Sequence, residues 1–378
     1  MMDFLGQAGY VLIGVLLLGI LVAVHEFGHF MAARLTGIEV MEFAVGMGPK
    51  IFGWTGKKGT KFSLRCIPFG GFCAFYGEDD VEGKSKDDPR AYNKQAVWKR
   101  MLTVAMGPVM NFVLALIVSV VFCWSTGVMT AYPAIVGVEE NSPAYAGGLR
   151  AGDYVQQVDG VNVGAQVEDV MPSNVMDRLS AFQNTIAASE PGVEHVLTVL
   201  RPVEENGAIR VDTAEVKVSA FWDEELQRSR IGISYSIGVP LEERTHVGFL
   251  GGLRHGWNMC VTSGMAVFEA LGKLFSDRQV LDSVSGPVGV VEMVSQSVQI
   301  GGLNAFISLL VIISVNLGIM NLLPIPGLDG ARFLFHAIEG VRRKPVKPEV
   351  EGTIHLVGTL LLLGLLLLLT FRDVWRLF

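Results

Sequence analysis

Residues 21–33, LVAVHEFGHFMAA, place two histidines and a glutamate inside an otherwise apolar run. The run lies in residues 11–33, a block that reaches the roughly 20 residues a helix needs to cross a bilayer. On a helix, positions i and i+4 lie on one face about 5–6 Å apart, so His25 and His29 can bind one metal ion. Glu26 is adjacent and can act as general base toward a metal-bound water. The stretch therefore predicts part of a metal site within a membrane span.

Three further apolar blocks have the length of a span, and together the four predict a polytopic α-helical membrane protein. They are residues 101–124, 303–323 and 353–371, in a chain that is 50% hydrophobic. A fifth block, residues 256–275, is interrupted by polar side chains, and we interpret it as a helix lying in the membrane interface. The first block has no basic segment before it and contains ionisable residues. It is therefore predicted to be a retained span rather than a signal peptide.

The distribution of lysine and arginine predicts the orientation of these spans. Residues 34–100 contain 12 basic and 8 acidic side chains, whereas residues 127–302 contain 11 basic and 22 acidic ones. The connection after the third span adds five basic residues: Arg332, Arg342, Arg343, Lys344 and Lys347. Because basic residues are enriched in cytosolic loops, the first and third connections are predicted to be cytosolic. The long acidic segment and both termini are then outside.

Between the first two spans, residues 59–79 read GTKFSLRCIPFGGFCAFYGED and show no helical period. Strand-forming side chains such as Ile67 are followed by Pro68 and by the pair Gly70–Gly71. Irregular backbone at membrane depth is tolerated only where protein or water satisfies it. We interpret the segment as a short re-entrant β element, and its edge CIPFGGFCAF is predicted to receive an extended substrate by strand addition.

The long outer segment is predicted to be a separate β-rich domain of about 100 residues. Short strand-forming runs alternate with turn sequences at residues 141–143, 152–153 and 159–160, the last a hairpin signal. Residues 173–189 have apolar side chains at helical spacing, and residues 194–202 and 214–221 have the pattern of strands.

A third metal ligand is suggested by residues 314–333, SVNLGIMNLLPIPGLDGARF. Pro324 and Pro326 end the third span, and Asp329 follows at its predicted cytosolic end. HEFGH lies in the cytosolic half of the first span, about 13 Å from Arg34 at 1.5 Å per residue. The two signals therefore fall on the same side of the membrane. Capping of the following helix by Asp329 is an alternative reading.

Several motifs in order, HEFGH, EFAVGMGPKI, IPFGGF, GPVMNF, SGPVG and NLLPIPGLDG, resemble those of bacterial site-2 proteases of the regulator-of-sigma-E protease type. The resemblance covers nearly the whole chain, and SPAYAGGLRAGDYVQQVDGVNV resembles a PDZ domain. The family consists of intramembrane zinc metalloproteases. Some members carry two PDZ domains, whereas this chain has room for one. Ala331 replaces the second glycine of the family's LDGG.

The resemblance implies roles for particular residues. His25, His29 and Asp329 would bind one Zn²⁺ per chain, Glu26 would be the catalytic base, and Asn316 and Asn321 would hold the substrate backbone. It also implies that the β element around residues 67–75, including Ile67, Pro68, Gly70 and Gly71, re-enters the membrane. The implied fold has four transmembrane helices, the re-entrant β element and one inserted extracytoplasmic PDZ domain.

The predicted organisation has four parts. Residues 1–124 contain the first two spans, HEFGH and the re-entrant β loop, and residues 125–237 form the PDZ domain. Residues 238–302 form interfacial linker helices, and residues 303–378 contain the last two spans with the LDG motif.

The implied activity is zinc-dependent cleavage within or near the transmembrane segment of a single-pass membrane protein, by resemblance an anti-sigma factor. The expected location is the bacterial cytoplasmic (inner) membrane. The expected partners are that substrate, a peptide or chain end at the PDZ domain, and membrane lipid, with no nucleic acid.

Two other functions remain open from the residues alone. A PDZ-bearing membrane scaffold or chaperone would have a non-catalytic metal site, which is usually closed by a fourth protein ligand. A transporter is suggested by the broken third span, although the two halves show no inverted repeat. Asn111, after Gly107-Pro108, fits either a helix–helix hydrogen bond or a role in the site.

Overall fold

A computed structural model describes residues 2–78, 88–166, 181–205, 208–224, 226–239, 245–273, 285–344, 346 and 348–376. The chain forms two compact units, one of Met1–Val118 with Val267–Phe378 and the other of Ser119–Ala266. Parts of three predicted features lie outside the described residues: residue 79 of the segment 59–79, residues 173–180 of the domain helix, and residues 274–275 of the interfacial helix. The side chain of Pro68 lies outside them as well.

The described helices and strands follow one another along the chain. In order, they are α1 (Met2–Thr36), β1 (Val40–Thr55), β2 (Lys61–Phe75), α2 (Val97–Thr126), β3 (Thr130–Val138), α3 (Pro143–Ala146), β4 (Tyr154–Val158), β5 (Val161–Asn162), β6 (Ala165–Gln166), β7 (Glu194–Glu205), β8 (Ala208–Ser219), β9 (Phe221–Asp223), β10 (Arg228–Arg230), β11 (Ile233–Gly238), α4 (Phe249–Lys273), α5 (Pro287–Leu322), α6 (Asp329–Arg342) and α7 (Pro348–Arg376). A 3₁₀ turn covers Tyr92–Lys94, and residues 181–187 are helical.

Among the residues that the structure describes, four helices are long and apolar enough to cross a membrane, which agrees with the four predicted spans. The spanning segments are Gly9–Thr36, Val97–Thr126, Pro287–Leu322 and Val350–Trp375. In the first unit, Leu17 and Leu21 of α1 are fully buried against Val294, Val298 and Leu310 of α5. This apolar contact holds the helix that carries HEFGH beside the helix that leads to Asp329.

The third spanning helix is longer than its apolar block predicted. The apolar block predicted a start at residue 303, with interfacial linker helices before it, but α5 begins at Pro287. Gly302 has non-helical backbone angles, φ 56° and ψ −142°, which only glycine adopts readily, and it kinks the helix. Polar side chains before this kink lower the local hydropathy. The apolar run therefore begins only at residue 303, although the helix begins at Pro287. At its other end α5 stops at Leu322, two residues before Pro324, which agrees with the prediction that the prolines end this span.

The interrupted apolar block folds as α4, which begins at Phe249 rather than at residue 256. Ser119 Oγ donates to the Gly256 carbonyl oxygen at 2.9 Å. A Cβ at Gly256 would lie 2.6 Å from the backbone nitrogen of Val120, and one at Gly252 would lie 2.6 Å from Cβ of Trp124. The two glycines therefore let α4 pack closely on the end of α2. Its position in the membrane interface stays a prediction.

The segment between the first two spans forms a folded two-strand sheet rather than one short hairpin. β1 pairs with β2 twice, because Phe43 has both Cys73 and Phe62 as partners. Beyond the bend near Gly46, residues 50–55 pair with 61–65, while residues 40–45 pair with 71–75. The prediction from residues 59–79 was a short re-entrant β element, and it did not include this double pairing. Residues 71–75 form an edge of the sheet.

The second unit contains the predicted β-rich domain. Its sheet has seven strands in the order β11-β3-β4-β7-β8, with β5 beside β4 and β6 beside β3. The predicted hairpin turn is present, since Val158 pairs with Val161 across Asp159 (φ 51°) and Gly160 (φ 80°). A core that includes Phe182, Leu197 and Val199 lies under this sheet.

The close packing of α4 on α2 can be tested with two matched glycine substitutions. We expect Gly256→Val to lower the thermal midpoint in detergent by a few degrees, because an overpacked contact costs about 1–3 kcal/mol. Gly272→Val adds the same side chain to the same helix, where nothing lies within 4 Å of the added Cβ. Thermal unfolding followed by tryptophan fluorescence provides the measurement. Equal midpoints for the two variants would contradict the packing assignment.

Candidate metal centre

Two histidines of α1 and the first residue of α6 meet at one point. His25 Nε2 lies 3.0 Å and His29 Nε2 3.2 Å from Asp329 Oδ2, and the two Nε2 atoms are 3.2 Å apart. Both histidines are buried, and the Asp329 side chain is 20% exposed. The structure thus brings together the three residues that the resemblance implied as zinc ligands.

The donor set fits a zinc ion. His29 Nδ1 lies 2.9 Å from the Thr103 carbonyl oxygen, which can only accept, so a neutral His29 carries its proton there. Its Nε2 then presents a lone pair toward Asp329 Oδ2, a buried oxygen with no hydrogen-bond donor. A tetrahedral ion with donors about 2.0–2.1 Å away would space those donors roughly 3.3 Å apart. The observed spacings are close to that value, and a three-residue set leaves a fourth position for water.

Glu26 lies beside this triad, where β2 passes directly against its side chain. A Cβ added to Gly71 would be 2.9 Å from Glu26 Cγ and 3.0 Å from Val22 Cγ1, so only glycine fits at this approach. The preceding Gly70 has φ 83°, in the left-handed region that favours glycine. The predicted glycine pair is therefore required by local geometry next to the candidate base.

The edge of the sheet at residues 71–75 is free on one side. These residues pair with residues 40–45, and within the described part of the chain no strand pairs with their other side. Ile67, predicted to belong to the same element, pairs with Met47 and is largely exposed. An extended peptide could add to this edge close to Glu26.

Two glycines whose role the sequence did not predict, Gly28 and Gly107, bring α1 and α2 together at the site. A Cβ at Gly28, within HEFGH, would lie 2.1 Å from the Met106 carbonyl oxygen. A Cβ at Gly107 would lie 2.3 Å from His29 Nε2. Any side chain at either position would push α2 away from the imidazoles, so these motif glycines have a steric role.

Asn111 is the clearest residue whose role was left open and which the structure brings into the site. It is fully buried, its amide nitrogen lies 3.2 Å from His25 Nδ1, and its Oδ1 has no partner. If His25 presents Nε2 to a metal, its Nδ1 carries the proton and needs an acceptor. The opposite assignment of the amide satisfies both groups, because Oδ1 then accepts from Nδ1–H. Asn111 would thus fix the His25 ring as the Thr103 carbonyl fixes that of His29.

The two other predicted amides are less closely tied to the triad. On α5, Asn316 is exposed and Asn321, in the last turn, is half-buried. Among the described residues, no hydrogen bond joins either side chain to His25, His29 or Asp329. Their role in holding a substrate backbone stays a prediction.

A second candidate site lies in the β-rich domain. A cleft of about 700 Å³ runs between the edge strand β11 and the helical residues 181–187. Apolar side chains line much of it, including Phe182, Ile186, Ile233, Tyr235 and Ile237. An edge strand beside an apolar cleft suits an extended peptide, which can add to the sheet while its side chains enter the cleft.

Comparison with known proteins gives consistent matches over nearly the whole chain. The model of peptidase family M50 matches residues 13–365. The zinc metalloprotease RasP of Shouchella clausii is 29% identical over 436 residues, covering 95% of this chain and 97% of that protein. A protein of Clostridium acetobutylicum, named as a candidate zinc metalloprotease, is 32% identical over 367 residues, covering 96% and 97%. A similarly named protein of Agrobacterium fabrum is 30% identical over 384 residues, covering 97% and 96%.

The orienting role of Asn111 can be tested by removing its amide. We expect Asn111→Leu, which keeps a similar volume, to weaken zinc affinity about 10–100-fold, because partners that orient a ligating histidine contribute that much. Zinc affinity is measured by competition with a chelating dye. Ser119→Ala, at another buried polar position of α2 whose hydroxyl bonds to Gly256, serves as the control and should leave the affinity unchanged. Wild-type affinity in Asn111→Leu would remove Asn111 from the site.

Proposed function

Because the chain belongs to peptidase family M50 and is a zinc metalloendopeptidase, we propose that it hydrolyses a peptide bond within or near the transmembrane segment of another membrane protein. The observation that carries this proposal is the buried triad of His25, His29 and Asp329 with Glu26 beside it. Two of the three ligands and the base lie on a helix of spanning length and composition. A peptide bond that is to be cleaved would have to reach these residues within the membrane-spanning part of α1.

One Zn²⁺ per chain would be held by His25 Nε2, His29 Nε2 and the Asp329 carboxylate. When bound, such an ion supplies Lewis acidity, which acidifies water and polarises a carbonyl group. The Glu26 carboxylate takes the proton from the attacking water and delivers it to the leaving amine. The Thr103 carbonyl and Asn111 hold the two imidazoles in the tautomers that direct Nε2 toward the ion.

The substrate is proposed to be a single-pass membrane protein, and an anti-sigma factor in particular by the resemblance of the motifs. A peptide bond in a transmembrane helix is protected by the hydrogen bond of its carbonyl, so the helix must unwind before cleavage. The free edge at residues 71–75 would receive the unwound segment as an added strand beside Glu26. Asn316 and Asn321 would bind backbone groups that would otherwise be unsatisfied in apolar surroundings.

The remaining proposals concern the second unit and the orientation of the chain. The β-rich domain is proposed to be a PDZ domain whose cleft along β11 binds a peptide or chain end. The proposed location is the bacterial cytoplasmic (inner) membrane, with this domain and both termini outside and the metal centre in the cytosolic half. The excess of basic residues in segments 34–100 and 332–347 supports this orientation.

The alternative of a membrane scaffold with a structural metal site is less well supported. A structural zinc site is usually closed by a fourth protein ligand. In the described part of the chain, only His25, His29 and Asp329 form a group of metal-binding side chains at this point.

Glu26→Gln separates catalysis from metal binding. We expect this variant to retain zinc but to cleave a model transmembrane substrate at least about 100-fold more slowly, because it loses the proton-transfer group and keeps the ligands. Zinc content and cleavage are measured on the same purified protein. His25→Ala is the matched comparison and should lose both. Cleavage by Glu26→Gln at the wild-type rate would contradict the role of Glu26 as the catalytic base.

The proposed orientation predicts opposite labelling of two exposed positions. After replacement of the four native cysteines, Lys94→Cys should resist a membrane-impermeant maleimide added outside spheroplasts and react after lysis. Glu190→Cys, in the β-rich domain, should react in intact spheroplasts. Both side chains are exposed, so access depends on the side of the membrane. Labelling of both positions before lysis, or of neither, would contradict the orientation.

A further inference from the structure

Four polar side chains form a buried network outside the metal triad, which we call the α2–α6 clamp: Tyr92, Arg100, His336 and Glu339. Tyr92, Arg100 and His336 are each more than nine-tenths buried, and the Glu339 side chain is 17% exposed. They come from three separate segments: the turn before α2, the first turn of α2, and α6. Burying a guanidinium and a carboxylate is costly unless they are well paired, so this network needs an explanation.

The clamp is fully connected. Arg100 donates to both carboxylate oxygens of Glu339, at 2.6 and 3.0 Å, and through Nε to the Gln95 carbonyl oxygen at 3.1 Å. Its Nη1 also lies 3.3 Å from His336 Nδ1, and His336 Nε2 lies 3.1 Å from the Tyr92 hydroxyl. Bidentate pairing of this kind fixes direction as well as distance.

The hydrogen-bond directions in the clamp are determined by Arg100. A guanidinium can only donate, so His336 Nδ1 must accept and the ring proton must lie on Nε2, where it donates to Tyr92 Oη. Burial, with Arg100 next in effect, lowers the pKa of His336 to about 4, which agrees with a neutral ring. His336 therefore joins Arg100 to Tyr92 through a single tautomer.

At one end, the α2–α6 clamp holds α6, the helix that begins with Asp329. The linker before α6 is short and contains two prolines and Gly327 (φ 97°), and Leu328 offers α6 no side-chain cap. A Cβ at Gly330 would lie 2.2 Å from the Leu323 carbonyl oxygen, so the first turn of α6 touches the end of α5. That contact fixes where α6 starts but not its direction. His336 and Glu339, two and three turns further on, fix the direction.

The other end of the clamp reaches the sheet edge beside Glu26. The Tyr92 ring stacks on Phe75, the last residue of β2, with centroids 5.2 Å apart and planes within 11°. Arg332 of α6 also pairs with Glu78, three residues beyond Phe75. The same network thus contacts both the helix that provides Asp329 and the strand that passes Glu26.

We propose that the α2–α6 clamp positions Asp329 against His25 and His29, and that Arg100, His336 and Glu339 are positioning residues of the metal centre. A shift of about 1 Å in α6 would separate Asp329 from the histidines, and displacements of that size are enough to impair a site. Tyr92 links this placement to the sheet edge. The proposal rests on the proposed ligand set.

The test measures zinc affinity of the full chain in Arg100 and Glu339 variants. We expect Arg100→Met to weaken zinc affinity at least tenfold, because it leaves the Glu339 carboxylate unpaired and releases α6. Arg100→Lys keeps the charge but loses the bidentate geometry and should fall between Arg100→Met and wild type. The double variant Arg100→Met/Glu339→Leu removes both charges and should retain zinc better than Arg100→Met alone.

A matched control separates positioning from general loss of stability. Arg201→Met breaks another bidentate ion pair, between the partly buried Arg201 and the buried Asp153 of the β-rich domain, and should leave zinc affinity unchanged. The visible spectrum of the cobalt-substituted protein should change in Arg100→Met, since Asp329 has moved, and stay the same in Arg201→Met.

Two results would overturn the clamp proposal, and a third would overturn the ligand set on which it rests. Wild-type zinc affinity and an unchanged cobalt spectrum in Arg100→Met would overturn the clamp proposal. Equal loss of zinc in Arg201→Met would also overturn it, because the effect would then be general instability. His25→Ala is measured alongside, and if it retains zinc, the proposed ligand set fails independently of the clamp.

Discussion

Three electron-rich atoms held about 3 Å apart in apolar surroundings are the constraint on which this molecule depends. When both Nε2 atoms are unprotonated, as metal binding requires, His25 Nε2, His29 Nε2 and Asp329 Oδ2 repel one another unless a cation lies between them. The helical repeat brings the two histidines together at little cost, but Asp329 must be brought from another helix. Much of the first unit serves that approach: the apolar contact of α1 with α5, the glycine at the start of α6, and the close passage of α2 beside the imidazoles.

The sequence revealed the parts of the site that follow a local period. His25 and His29 are one helical turn apart, and Glu26 is next to the first of them. Their spacing in the sequence was therefore sufficient to predict that they share a site. Asp329 required a topological argument, since only the matching ends of two spans placed it near the histidines. The Thr103 carbonyl could not have been found, because every residue has such a carbonyl and only the fold selects one. Asn111 carried a signal as a buried amide in a span, but its partner was ambiguous.

The fold differed from the sequence-based expectation where long-range pairing or local strain decides. The four apolar helices were predictable because bilayer thickness sets their length. The double pairing of β1 with two parts of β2 was not, since strand composition says nothing about which segments meet. Gly302 was similarly hidden: a glycine in an apolar helix is common, and only its backbone angles show that the helix bends there and continues to Pro287.

The free edge at residues 71–75 carries a second energetic cost, which differs in kind from that of the metal triad. A buried cation site is costly when empty, whereas an unpaired strand edge in apolar surroundings leaves backbone donors and acceptors unsatisfied. The first cost falls when a cation binds to His25, His29 and Asp329, and the second would fall when an extended segment pairs with the edge beside Glu26. Gly71 allows this approach, because it lets the strand pass in contact with the Glu26 side chain at Cγ. A helical segment already has its backbone groups paired and would gain nothing at that edge. Under the proposed function, this edge would favour unwound substrates through backbone hydrogen bonding, before any side chain is recognised.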